Sequence, residues 1–251
     1  MSQPPPVTAA VLVIGDEILS GRTQDTNTQY IARFLGALGI DLKEVRVVGD
    51  VEEEIVCALN ALKPRATYVF TTGGIGPTHD DITADAVAKA FKVGIDYHPE
   101  ALAMLAARYP PGEFNEMRKR MARIPHSATL VKNSVSTAPG FQIGNVFVLA
   151  GVPAIMRAML EDVAPRLIRG QPVVVETVET RLPEGRIALG LLAIQKEQPS
   201  LALGSYPFYR EDGNGVQLVV RGRDSAAVEI AARQIEAMVE AQGGKARRLP
   251  K

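Results

Sequence analysis

The sequence predicts an α/β protein with a mainly parallel sheet covered by helices, followed by a smaller β-α-β-β-α unit. Three observations carry that expectation. Apolar strand-like runs alternate three times with helical patterns between residues 7 and 91, the order of a parallel sheet with crossover helices. A glycine-rich loop joins the third of those strands to a helix, as in α/β ligand sites. After Pro172 the pattern changes to strand, helix, two strands and a helix.

Taken in order, residues 7–14 are almost continuously apolar, as expected of a strand buried on both faces. A polar loop over 15–27 follows. Tyr30, Ile31, Phe34, Leu35 and Leu38 recur at helical spacing, and Gly39 stops that helix. Residues 42–48 read as a second strand. Asp50-Val51-Glu52-Glu53 resembles a capping box opening a helix to residue 62. Residues 68–72 are the third strand, and 85–91 a helix. The loops at 15–27, 49–50 and 73–83 therefore gather beyond the carboxyl ends of the strands, where such sheets bind ligands.

His98-Pro99 opens a further helix with proline in its first turn, and Tyr109-Pro110-Pro111-Gly112 breaks it. A short basic helix is expected over 115–123. Gly144-Asn145 between residues 141–143 and 146–149 is a hairpin signal. Gly151-Val152-Pro153 then starts a helix to residue 168. In the second unit, strands are expected over 173–178, 201–206 and 216–220, forming a partly antiparallel sheet. Helices are expected over 184–195 and from an Asp224 cap to 241. The division falls between 1–169 and 170–251.

Composition narrows the function classes. Lys plus Arg and Asp plus Glu are 28 each in 251 residues, which argues against a nucleic-acid partner held by a basic surface. No apolar run approaches a membrane span, and the start, Met1-Ser2-Gln3-Pro4-Pro5-Pro6, lacks a secretion signal. The expectation is a cytoplasmic protein with no membrane partner and a frayed basic end over 243–251. The single cysteine, Cys57, permits no internal disulfide and is expected to be buried and inert.

The chemistry centres on Thr71-Thr72-Gly73-Gly74-Ile75-Gly76-Pro77-Thr78-His79-Asp80-Asp81-Ile82-Thr83. Gly73, Gly74 and Gly76 let a ligand approach the backbone, and the following helix offers unpaired N–H groups to an anion. Asp80 and Asp81 stand beside that anion site. Unit charges about 4 Å apart interact by about 4 kcal/mol at an effective dielectric near 20. A helix N-terminus, worth at most ~2 kcal/mol, does not offset that repulsion. A divalent cation such as magnesium does, which makes Asp80 and Asp81 candidate catalytic and metal-binding residues. The alternative for Asp81 is a simple helix cap. The loop is neither a Walker P-loop nor a Gly-x-Gly-x-x-Gly fingerprint.

In the first loop, Gly15, Glu17, Ser20, Thr23 and Asn27 are candidates for phosphate or sugar contacts, with helix capping the alternative for Asn27 and Asp50. His79 is either a general acid or phosphate contact, or a loop residue bonded to backbone. Arg118, Lys119, Arg120 and Arg123 are either a clamp for the far end of a dinucleotide or a solvated face. Thr137, Pro139 and Gly140 belong to a hydroxyl-rich Pro-Gly turn that could line a pocket.

Residues 72–83, the loop over 15–27, Thr137-Ala138-Pro139-Gly140-Phe141 and Gly151-Val152-Pro153 together resemble the molybdopterin-binding domain family. Its members include competence/damage-inducible proteins, enzymes that adenylylate molybdopterin or insert molybdate, and the amino-terminal domain of eukaryotic-type FAD synthases. The resemblance implies a three-layer α/β sandwich with its ligand site around the glycine loop, where Thr72, Thr78, Thr83, Gly151 and Pro153 also fall. It implies handling of a pterin or metal by Asp50 and Asp81. For the competence-type and FAD-synthase-type branches it implies divalent-metal-dependent cleavage of FAD or ADP-ribose, using magnesium, manganese or cobalt. It also implies a homo-oligomer, dimer or trimer, with molybdopterin as the alternative ligand. Ala150 and Ile155 depart from the competence-type pattern, in which a proline and a glutamate stand, and bring the chain nearer the FAD-synthase-associated branch.

Overall fold

The computed structural model describes residues 5–110 and 112–250. Met1 to Pro4, at the start read for a secretion signal, Pro111 in the helix-breaking stretch and Lys251 in the basic end lie outside the described residues. The chain divides after Gly170 into two compact units.

The first unit opens with β1 (Thr8–Ile14), α1 (Asp16–Leu19), α2 (Asn27–Ala37), β2 (Asp41–Val48), α3 (Glu52–Leu62) and β3 (Tyr68–Thr72). There follow α4 (Thr83–Phe91), β4 (Ile95–Tyr97), α5 (Pro99–Arg108), α6 (Glu116–Lys119), β5 (Arg123–Pro125), β6 (Thr129–Val131), β7 (Gly140–Ile143), β8 (Val146–Leu149) and α7 (Pro153–Val163). The sheet order is β2-β1-β3-β8-β7-β6. Its first four strands are parallel, and the last two pairings, β8 with β7 and β7 with β6, are antiparallel.

Why β1 lacks polar residues is now plain. Alternate side chains of a strand point to opposite faces, and both faces of β1 are covered. Ala9, Val11 and Val13 pack with Ile31 and Leu35 of α2 and Met156, Met159 and Leu160 of α7. Ala10, Leu12 and Ile14 pack with Ile55, Leu59 and Leu62 of α3 and Val87 of α4. Helix, sheet and helix form the three layers.

Several expectations need correction. The basic stretch makes only the single turn of α6 and a 3-10 turn before Arg123 enters β5, which pairs antiparallel with β4. The helix expected to reach 168 ends at Val163 in a 3-10 turn, because Pro165 has no N–H for the next helical bond. Cys57 is exposed, since Ile55, Ala58, Leu59 and Leu62 occupy the buried stripe of α3.

The second unit comprises β9 (Val174–Thr180), α8 (Glu184–Glu197), β10 (Ala202–Arg210), β11 (Gly213–Gly222), α9 (Ser225–Ala241) and β12 (Arg247–Arg248). Its sheet, β10-β11-β9-β12, is wholly rather than partly antiparallel. Val178, Leu218 and Val220 pack with Ile187, Ile194, Val228 and Ile235. Asp224 caps α9, accepting from the Ala226 and Ala227 N–H groups at 2.9 and 3.2 Å.

Candidate functional site

The glycine loop is braced from within. Gly73 and Gly74 adopt φ of 107° and 65°. The Gly73 N–H donates to the Leu149 carbonyl at 3.2 Å, and the Thr83 hydroxyl donates to the Gly73 carbonyl at 2.9 Å. Asp81 folds back into the loop. Its carboxylate accepts from the Gly76 N–H at 2.6 Å, the Thr78 N–H at 2.8 Å and the Thr78 hydroxyl at 2.5 Å.

The cap reading for Asp81 therefore fails: α4 is preceded by Ile82 and has no side-chain cap, and both Asp81 oxygens accept from its own loop. Asp81 shapes the site instead. Replacing it with alanine is expected to lower stability by about 2 kcal/mol, because charge-assisted bonds to two amides are lost. Asp81→Asn, which keeps one acceptor, should fall between; urea titration checks both. The Gly74 and Ile75 N–H groups donate to no acceptor among the described residues and remain open to a ligand.

Beside this loop, the ends of β1 and β2 bring acidic residues together. The Asp16 N–H donates to Asp50 Oδ2 at 3.0 Å, and the Asp50 N–H to Asp16 Oδ1 at 3.4 Å. Asp50 thus spends its carboxylate on a residue distant in sequence, and Val51 precedes α3 without a side-chain cap; the capping box does not form. Burial pushes the Asp50 carboxyl above its ordinary range, and the charges of Asp16, Glu17 and Asp80 add to this against the opposing Asp16 N–H. A hydrogen bond from Thr78 draws Asp80 the other way. His79 is 94% exposed, with Nδ1 4.0 Å from Asp80.

The third wall is the start of α7. Asn27 Nδ2 donates to the Gly151 carbonyl at 2.7 Å and holds that turn in place. Asn27 is no cap: Asp25 Oδ1 takes the Asn27 and Thr28 N–H groups at 2.9 and 3.1 Å. The first turn of α7 carries no acidic side chain, so its N-terminal dipole is free to meet an anion.

These walls enclose an open cleft of about 560 Å³ lined by Gly15, Glu17, Thr23, Asp50, Gly73, Gly74, Gly76, Asp80, Asp81, Gly151 and Pro153. An apolar side adds Tyr109, Met121, Ala138 and Ile155. The volume is that of a small-molecule site.

Residues 10–169 match the family described as a probable molybdopterin binding domain. The chain belongs to this molybdopterin-binding domain family. Residues 172–245 match the FAD synthase middle domain. A Pyrobaculum arsenaticum protein is 37% identical over 210 residues, 79% of each chain. A CinA-like protein from Syntrophotalea carbinolica is 39% identical over 165 residues, 63% of this chain, which spans only 40% of that relative's length. The crystal structure of the protein CinA with unknown function from Thermoplasma acidophilum superposes with a TM-score of 0.62 at 35% identity, covering 65% of this chain and 99% of that one.

Within this molybdopterin-binding domain, several expected contacts are scaffold. Thr72 and Thr83 are buried, and Thr78 is bonded to Asp81. Ser20 closes α1 outside the cleft lining, as His79 and Thr137 also stand outside it. A Cβ on Gly140 would stand 2.2 Å from the Val148 carbonyl oxygen, so that glycine serves close strand packing. Pro139 lines a void of about 20 Å³ behind the glycine loop rather than the cleft.

The basic stretch is no free clamp. Arg118 bonds Glu113, Lys119 pairs with Glu116, and Arg123 holds Asp85 through two bonds at 2.8 and 2.7 Å. Arg120 Nη2 reaches the Asp81 carbonyl at 3.4 Å. Sequence reasoning missed Tyr109 and Met121 as cleft residues. Tyr109 lies in the stretch read only as a helix break, and Met121 in the short helix read only for its charges.

Proposed function

We propose that this molybdopterin-binding-family domain binds a phosphorylated dinucleotide, FAD or ADP-ribose, and hydrolyses its diphosphate with a divalent cation. The observation that carries the reading is the juxtaposition of two open amides and a helix N-terminus with the acidic edge of Asp16, Glu17, Asp50 and Asp80. Anion receptors and repelling carboxylates in one cleft are reconciled by a cation between them.

The donor set does not fit a resident all-protein metal cage. Among the described residues no three His, Cys, Asp or Glu side chains come together for one, and Asp81 is engaged. It does fit magnesium, manganese or cobalt arriving on a diphosphate, which needs only one or two carboxylates; Asp50 and Asp80 would supply them. Such an ion polarises a phosphoryl oxygen and lowers the pKa of a bound water. The Gly74 and Ile75 amides and the start of α7 hold the diphosphate oxygens. Tyr109, Met121 and Ile155 give a flat ring system an apolar wall. The match of residues 172–245 to the FAD synthase middle domain supports a flavin nucleotide as substrate.

Chromatography of AMP after incubation with FAD or ADP-ribose and each metal tests this. Release is expected with metal and none with chelator; no release under any metal removes the reading. The family match over residues 10–169 favours a second reading, binding or adenylylation of molybdopterin. Calorimetry showing pterin binding without FAD binding would select it.

A further inference from the structure

The glycine loop holds a charge conflict of its own. Its Gly74 and Ile75 N–H groups are open to an anion, yet the Asp81 carboxylate is already fixed inside the loop. It sits on the Gly76 and Thr78 N–H groups at 2.6 and 2.8 Å. Asp80 adds a second negative charge on a side chain that is 62% exposed. A loop charged in this way repels phosphate unless a cation stands close to it.

The protein offers cations on the far side of the loop. The void of about 20 Å³ is walled by Gly74, Ile75 and Gly76 and, opposite them, by Arg120 and Arg123. Arg123 is committed to Asp85 through two bonds, as Arg118 is to Glu113 and Lys119 to Glu116. Arg120, in the 3-10 turn Arg120–Ala122, pairs with no carboxylate among the described residues. Its Nη2 reaches the Asp81 carbonyl at 3.4 Å, long for such a bond, and its Nε is buried without an acceptor. A guanidinium carries five N–H donors, so most of this one's capacity is unspent.

We propose that Arg120 is the positioning cation of the anion site. From behind the glycine loop it offsets the Asp81 charge and steadies the Asp81 main chain, so that the Gly74 and Ile75 N–H groups accept a phosphate on the cleft side. Arg120 does not line the cleft; it acts through the loop and touches no ligand. Protein rather than water separates the guanidinium from the anion, so the attraction is only weakly screened. The inference rests on the cleft being a diphosphate site and adds the residue that sets its affinity.

Calorimetry of the whole chain with inorganic pyrophosphate and magnesium, at low and at high salt, tests the proposal. Arg120→Gln is expected to weaken binding on the order of tenfold at low salt and to flatten its salt dependence. Arg120→Lys keeps the charge and should recover most of the affinity, whereas a purely structural arginine would lose as much with lysine as with glutamine. Circular dichroism confirms that both variants are folded. Unchanged binding in Arg120→Gln, or equal losses in the two variants, would overturn the proposal. Failure of the hydrolytic reading looks different: pyrophosphate binding would depend on Arg120 as stated, yet FAD and ADP-ribose would release no AMP. A native chain that binds no pyrophosphate removes both.

Discussion

Exchanging Asp50 for asparagine is expected to cut AMP release by on the order of 100-fold while leaving the fold at least as stable. The two effects separate because Asp50 does two jobs. As a hydrogen-bond acceptor it holds the Asp16 N–H at 3.0 Å, and the asparagine carbonyl oxygen can accept that bond. As a charge it is held against Asp16, Glu17 and Asp80 in a half-buried position. Removing the charge relieves that repulsion, so stability should stay within about 0.5 kcal/mol or rise slightly.

The same placement sets a pH dependence. The folded-state pKa of Asp50 is raised, so the folded chain binds its proton more tightly than the unfolded chain does. Asp50 thus contributes no penalty below its unfolded pKa, and the penalty is complete once pH passes the raised folded value. Cation binding needs the ionised form. Metal-dependent turnover should therefore fall with decreasing pH above the ordinary carboxylate range, and the stability gain of Asp50→Asn should vanish over the same window. A pH–rate profile beside urea melts at matched pH values measures both. Turnover unaffected by Asp50→Asn would remove Asp50 from the cation's shell.

How much of this was legible in the sequence depends on the range of the interaction involved. β1, β2 and β3, the Gly144-Asn145 hairpin and the Asp224 cap are local or periodic, and pattern alone locates them. Asp50 is different: its partner lies in the β1–α1 loop, and only the parallel pairing of β1 with β2 brings the two together. The role of Asp81 is local, with acceptor contacts to residues three and five positions earlier, and a tight loop closed by its own carboxylate was available as a reading. At the basic stretch, linear order shows the Arg118–Glu113 and Lys119–Glu116 pairs, which are local, but not the Arg123–Asp85 pair, whose partners stand 38 positions apart. β4, β5 and β6 are three residues each, too short to display a period of two.

Gly73→Ala is expected to be the most damaging single-methyl change in the first unit. Its φ of 107° is one that L side chains rarely adopt, and a Cβ there would stand 2.1 Å from the Ile14 carbonyl oxygen. That oxygen belongs to the end of β1, which is held between β2 and β3 and cannot withdraw. Backbone strain of about 1–3 kcal/mol combines with displacement of a core strand end, for an expected total near 3 kcal/mol or more. In a unit of this size that lowers the melting temperature by roughly 10 °C. Ligand binding should fail as well, because the shift moves the Gly74 and Ile75 amides. Gly21→Ala is the control: φ is 72°, yet nothing lies within 4 Å of the added Cβ, so about 1 kcal/mol of conformational cost is expected alone. Calorimetric melts with and without FAD compare the two. Equal losses would mean that φ, rather than the approach to Ile14, governs position 73, and that the loop is less tightly held against β1 than the fold requires.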